Sequence, residues 1–306
     1  MTIRRRLLVA LLSVVTLHTT TAGAQTNAPQ VKAVATFSIL GDVVRQVGGD
    51  RVDVFTLAGP GEDAHVFTPS PSHARTVADA AVVFSNGLGF EGWMTRLIRS
   101  SGYKGLHTVV SQGVEAMKEN RKHGHGHSHG HHDPHAWQNP KNVMLYVGNI
   151  TKGLCEVDAQ GCDSYQANAR AYTERLRELD REVHAAWNGV AAGRRKVITS
   201  HDAFAYYGQA YGVQFLSPQG VSTEAEASAR GVARLIRQIK AENIRALFVE
   251  NISDPRLIEQ IARETGIQSS GVLFSDSLSD ERGPAATYID MVRHNTAALI
   301  DAIASQ

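Results

Sequence analysis

At 306 residues the chain is long enough for two domains with their own cores, and its 42% hydrophobic and 20% charged residues are ordinary for a soluble protein. A formal net charge of +1 leaves no basic excess for binding nucleic acid.

The first residues read as a targeting segment. Arg4, Arg5 and Arg6 precede an apolar run from Leu7 to Leu17, and small residues at Ala22 and Ala24 suit signal-peptidase cleavage near Ala24. A membrane anchor needs about twenty apolar residues, roughly twice that run. No cysteine follows it, which argues against a lipid-modified N-terminus. Export to a bacterial periplasm with residues 1–24 removed is the expectation.

From Val31 a short β-prone run leads into a helical pattern with Ile39, Val43, Val44 and Val47 on one side. Val52–Leu57 is the next strand, and Gly59, Pro60 and Gly61 announce a loop that carries His65. A helix starting at Ser72 leads into Ala80–Ser85, a continuous apolar run typical of a buried parallel strand. This βαβα alternation predicts an α/β lobe over residues 25–162.

That lobe contains the most unusual stretch of the chain. Residues 122–140 read KHGHGHSHGHHDPHAWQNP and hold half of the 14 histidines. His123, His125, His127, His129, His131 and His132 alternate with glycine and serine, so a loop over 122–132 has no apolar face to bury and is expected to be mobile. Beyond it, Pro134 constrains the backbone on which His135 sits. Imidazole is the commonest metal-binding side chain and suits zinc, copper, nickel and iron, so the stretch points to metal handling, with the loop as an auxiliary site.

Two readings compete for the only cysteines, Cys155 and Cys162: a disulfide, or a pair of thiolate metal ligands. Export favours the disulfide. From Asp163 to Ala192 the spacing of Tyr165, Ala169, Tyr172, Leu176, Leu179, Val183 and Trp187 predicts one linking helix over 163–192. It would span roughly 40 Å at about 1.5 Å per residue, more than one lobe needs. The α/β pattern then restarts over 193–306, with strands predicted at Lys196–Ser200, Val213–Leu216, Ala246–Glu250 and Gly271–Asp276, and helices at Ala225–Glu242, Arg256–Thr265 and Thr287–Ala304. No internal repeat is legible.

Three histidines and one aspartate share a location rule. His65 and His135 lie in loops of the first lobe, His201 follows the strand ending at Ser200, and Asp276 follows Val272–Ser275. Ligands of open parallel sheets bind beyond the carboxyl ends of strands, so two facing lobes would gather all four in one cleft. His73, His107, His184 and His294 are read as ordinary surface or hydrogen-bonded residues.

Glu62–Ser72 around His65, the histidine-rich loop followed by Asp133-Pro-His135-Ala-Trp, Thr199-Ser-His201-Asp-Ala-Phe-Ala-Tyr-Tyr-Gly, and Asp276-Ser-Leu with Tyr288 and Asn295 downstream resemble the zinc- and manganese-specific solute-binding proteins of ABC transporters. The resemblance covers essentially the whole chain after residue 24. It implies two Rossmann-like lobes joined by one long backbone helix, with metal in the cleft between them, held by His65, His135, His201 and Asp276. It also implies a non-enzymatic role: capture of zinc as cargo and delivery to an inner-membrane permease by a monomer, with a periplasmic zinc chaperone as a further candidate partner. Manganese-type members of that family typically have glutamate where this chain has His201, and an imidazole there favours zinc. The chain departs from the usual Trp-Leu-Asp-Pro continuation of the second motif with Trp137-Gln-Asn-Pro.

Other readings are manganese or iron binding by the same fold, a periplasmic zinc buffer or adhesin without transport, and a metallo-hydrolase using Glu62 or Glu250 as base. The hydrolase needs an open coordination position, which four protein ligands do not leave. Asp63, Asp133 and Asp202, beside the ligand histidines, are candidates to orient their second ring nitrogens. With imidazoles at their ordinary pKa, metal affinity is expected to weaken below about pH 6.5.

Overall fold

The computed structural model describes residues 30–118 and 132–304. The targeting segment and five of the histidine-rich loop's histidines, His123, His125, His127, His129 and His131, lie outside the described residues.

The first half opens with β1 (Val31–Phe37), buried from Ala33 onward, followed by α1 (Ser38–Gly48), β2 (Val52–Ala58) and α2 (Pro71–Ala78). Ser70 starts α2 as a reciprocal cap: its hydroxyl accepts the His73 N–H, and the His73 ring accepts the Ser70 N–H. Then come β3 (Val82–Ser85), buried throughout, α3 (Met94–Ser101), β4 (Leu106–Val109) and α4 (Pro140–Val157). The strands form an all-parallel sheet in the order β2-β1-β3-β4.

The connecting helix α5 (Cys162–Trp187) packs against α4 and α1 near its start and buries Tyr165, Tyr172, Leu176, Leu179, Val183 and Trp187. It stops five residues before the expected Ala192: the Val190 N–H closes a turn on the Trp187 carbonyl, and Arg195 reaches back to donate to the carbonyls of Trp187 and Val190. Cys155 and Cys162 are disulfide-bonded, tying the last turn of α4 to the first turn of α5. This removes the thiolate-ligand alternative.

The second half contains β5 (Lys196–Ile198), α6 (Ala205–Tyr211), β6 (Gln214–Leu216), α7 (Ala229–Glu242), β7 (Ala246–Glu250), α8 (Arg256–Thr265), β8 (Gly271–Leu273) and α9 (Tyr288–Ala304). Its strand order, β6-β5-β7-β8, repeats that of the first sheet, although no sequence repeat betrays it. Helix α7 begins four residues later than expected from Ala225, where Ser228 caps it by accepting the Gly231 N–H. The last strand ends at Leu273 rather than Asp276, because the Asn295 side chain takes over both polar groups of Phe274. Helices α4 and α6 and strand β4 are additions to the elements expected from sequence.

One continuous apolar cluster runs from the first sheet through α1, α4 and α5 to α6 and α9. Smaller clusters lie under α2 and α3, and between the second sheet and α7 and α8. The halves therefore share a core beneath the cleft. Among the described residues, no helix is long and apolar enough to cross a membrane.

Candidate metal centre

His65 lies in the loop after β2, where Asp63 accepts its backbone N–H at 2.9 Å and Trp93 Nε1 donates to the neighbouring Ala64 carbonyl at 2.7 Å. His135 lies between the histidine-rich loop and α4. Asp133 Oδ1 accepts its backbone N–H at 2.9 Å and lies 2.7 Å from its Nδ1. Asn86 Nδ2 donates to the Pro134 carbonyl at 2.9 Å, and Asn86 is itself fixed by the Tyr146 hydroxyl. His201 follows β5 and is held by Glu250, the last residue of β7: Oε1 accepts its N–H at 2.8 Å and Oε2 lies 2.6 Å from Nδ1. Asp276 follows β8. All four residues are buried.

Their donor atoms converge. His135 Nε2 is 3.3 Å from the Nε2 atoms of both His65 and His201, Asp276 Oδ2 is 3.2 Å from both of those atoms, and Asp276 Oδ1 is 3.5 Å from His135 Nε2. Four donors around an ion at about 2.0–2.1 Å would sit on a tetrahedron with edges of about 3.3 Å. With Asp276 Oδ2 as the fourth vertex, four of the six edges, at 3.2–3.3 Å, match that size, and the four donor atoms all lie within 4.8 Å of one another. Both Asp276 oxygens are buried without a hydrogen-bond partner, as a carboxylate facing a cation would be. The residues therefore fit a metal ion.

Electrostatics point the same way. Burial alone would lower the His135 imidazole, but Asp276 and Asp133 overcome it and push it up to about 9. His201 is likewise driven well above its ordinary value, with Glu250 and Asp276 outweighing burial. Asp276, which burial would raise, is held well below the usual carboxylate range by His135 and His201. The pocket is negative enough to keep protons when no metal displaces them.

Of the aspartates considered as orienting groups, Asp133 reaches a ring nitrogen, whereas Asp63 reaches only the His65 backbone. His201 Nδ1 faces Glu250 rather than Asp202. Burial pushes the Asp202 carboxyl up to about 6. Glu250, weighed from sequence only as a hydrolytic base, is thus a support for the centre; no local spacing reveals it, because it is 49 residues from His201. His132 is exposed and pairs with Lys118 in an antiparallel bridge away from the four donors. His73, His107, His184 and His294 also lie outside the cluster.

The two halves are fastened around this site unequally. At the Asp276 edge, Trp137 Nε1 and Gln138 Nε2 both donate to the Ser275 carbonyl, at 2.9 and 2.7 Å. There too, Gly61 N–H donates to Ser277 Oγ at 2.7 Å, and Leu278 N–H donates to Ser38 Oγ at 2.9 Å. On the His65 side, Thr223 donates to Asp63 Oδ2 at 2.7 Å. Between them, the Tyr206 hydroxyl of α6 accepts the Met117 N–H at 2.9 Å and donates to the Asp133 carbonyl at 3.0 Å.

Comparison with known proteins places these observations. A family profile described as zinc-uptake complex component A, periplasmic (ZnuA), matches residues 33–302. The chain is 31% identical over 281 residues, 92% of its own length and 91% of the relative's, to the manganese-binding lipoprotein MntA of Halalkalibacterium halodurans. It is 30% identical over 286 residues to the iron ABC transporter substrate-binding lipoprotein MtsA of Streptococcus pyogenes serotype M1, covering 90% of this chain and 89% of that one. Among solved structures, the periplasmic zinc-binding protein TroA from Treponema pallidum superposes with a TM-score of 0.83 at 27% identity, over 90% of this chain and 99% of that one.

Proposed function

Because the chain belongs to the family of zinc-uptake complex component A proteins, the metal-binding solute-binding components of ABC transporters, we propose that its cargo is zinc, captured in the periplasm and handed to an inner-membrane permease. The observation that carries the choice of metal is the donor set: three imidazole nitrogens and one carboxylate within 4.8 Å of one another, with four of their separations at 3.2–3.3 Å, close to the size and in the composition of a tetrahedral zinc shell. Manganese and iron more often take further oxygen ligands in larger shells. Four protein donors leave no seat for an activated water, which speaks against metal-assisted hydrolysis.

Manganese or iron as cargo is the second reading, favoured by the relatives named for those metals. Metal analysis of protein purified without added metal, followed by zinc and manganese competition, separates the two. Zinc should win by orders of magnitude, and His201→Ala should lose most of the zinc affinity. An unchanged affinity in that variant would remove His201 from the ligand set, and a preference for manganese would overturn the zinc assignment.

In this reading residues 25–162 and 193–306 act as the two lobes and 163–192 as the strut between them, after loss of the segment ending near Ala24. The histidine-rich loop over 122–132 serves as a weak, exchangeable collector that feeds the central site. Deleting it should slow loading at scarce zinc while leaving equilibrium affinity nearly unchanged. A collapse of that affinity would contradict an auxiliary role.

A further inference from the structure

We propose that Glu250 is a specificity-determining residue of the centre, acting through His201 to favour zinc over manganese. The inference rests on the zinc reading above and on His201 being a ligand.

Glu250 is wholly buried, and its carboxylate faces one residue, His201, at both oxygens. Unlike Asp133, which reaches its histidine from two positions away, Glu250 comes from a different strand, so no local turn accounts for a carboxylate there. The parallel pairing of β5 with β7 brings it to the start of the His201 loop, and Ser200 Oγ accepts the Glu250 N–H. Its contact with Nδ1 is close, at 2.6 Å, yet neither Nδ1 nor Oε2 has a well-aligned hydrogen bond. A buried carboxylate with no other ion-pair partner among the described residues is costly, so its value lies in what it does to that ring.

With Nε2 turned toward the centre, the ring proton belongs on Nδ1. A carboxylate drawing on that proton gives the ring imidazolate character and makes Nε2 a stronger donor. Zinc stands well above manganese in the order of divalent affinities for nitrogen sites, so strengthening one nitrogen benefits zinc more. Asp133 acts on His135 in the same sense, and each carboxylate also accepts the backbone N–H of its histidine. Glu250 offers a test through Glu250→Gln, which keeps an acceptor for the backbone N–H of His201, removes the charge and leaves an amide NH2 in place of the carboxylate oxygen at Nδ1.

Zinc and manganese affinities of the full-length protein and of Glu250→Gln should be measured by competition at one pH. Zinc affinity is expected to fall by about 10- to 100-fold and manganese affinity by less, so that their ratio drops by about tenfold. Cobalt(II), loaded as a spectroscopic probe, should show its d–d bands moved to lower energy in the variant as the ligand field weakens. Equal losses for both metals with unchanged cobalt bands would reduce Glu250 to a structural residue and overturn the proposal. Glu250→Ala, with the same expected direction, is the second variant should the first fail to fold. A wild-type protein preferring manganese would defeat the zinc reading on its own; a zinc-to-manganese ratio that still drops in Glu250→Gln would uphold the role of Glu250, and an unchanged ratio would overturn it.

Discussion

Asp276 brings the one carboxylate of the four donors, and its pairing with His135 and His201 stores protons that a metal must expel. The sign follows from the direction of the shifts. His135 is raised from its ordinary 6.5 to about 9, so in metal-free protein its contribution to stability is fully present below pH 6.5 and is lost as pH rises through about 9. Metal capture works against the same proton and against that of His201, so zinc affinity should keep climbing with pH well past 6.5, toward about 9 for the His135 proton, rather than levelling off near 6.5 as an ordinary imidazole would. Calorimetric titrations in buffers of different ionisation enthalpy between pH 6 and 9.5 should record proton release on binding that shrinks toward the upper end. Release that vanishes already at pH 7.5 would contradict it. At this scale the sequence was largely legible: His65, His201 and Asp276 follow strands, and Pro134 marks His135. Glu250 was not legible as their support, since parallel strand pairing joins positions that nothing in the linear spacing connects.

Among the elements, the segment from Asp133 to Gln138 belongs to the first half by sequence yet bonds to the second half at both ends, through Tyr206 and through Ser275. The Tyr206 hydroxyl also takes the Met117 N–H, while the Asp133 N–H donates to the Met117 carbonyl at 2.9 Å, so one phenol secures both stems of the histidine-rich loop beside a candidate ligand. Tyr206→Phe keeps the packing and removes both bonds. It should quicken zinc release to a chelator severalfold while lowering the melting temperature by a few degrees at most; an unchanged release rate would show that the stems hold themselves. The start of α4 carries a signal in the sequence, although the helix was not among the elements expected from it. Asn139 accepts the Lys141 N–H and Pro140 occupies the first turn, a cap signature that the neighbouring histidines obscure. Strand β4 is harder to see, because it is a four-residue edge strand alternating between exposed and half-buried positions, with no apolar run to announce it.

Across the whole molecule, the two-lobed α/β plan was readable from the restart of the strand pattern at Lys196, and the strut from the apolar spacing along α5. The shared core was not readable, because Tyr172, Leu176 and Trp187 look alike in sequence whether they pack on one half or bridge both. Thr223 contributes a single side-chain hydrogen bond on the His65 side, so Thr223→Val should speed both loading and release of zinc while shifting the equilibrium constant far less. Stopped-flow exchange with a fluorescent chelator would check this, and equal rates in the two proteins would count against it. Because the Ser275 carbonyl is clasped twice by the peptide that bears His135, the described residues form a seam sewn along one margin and buttoned at a single point along the other. An ion departing from such a purse should leave past the button, which would make that margin the place where a receiving protein gains most by prising.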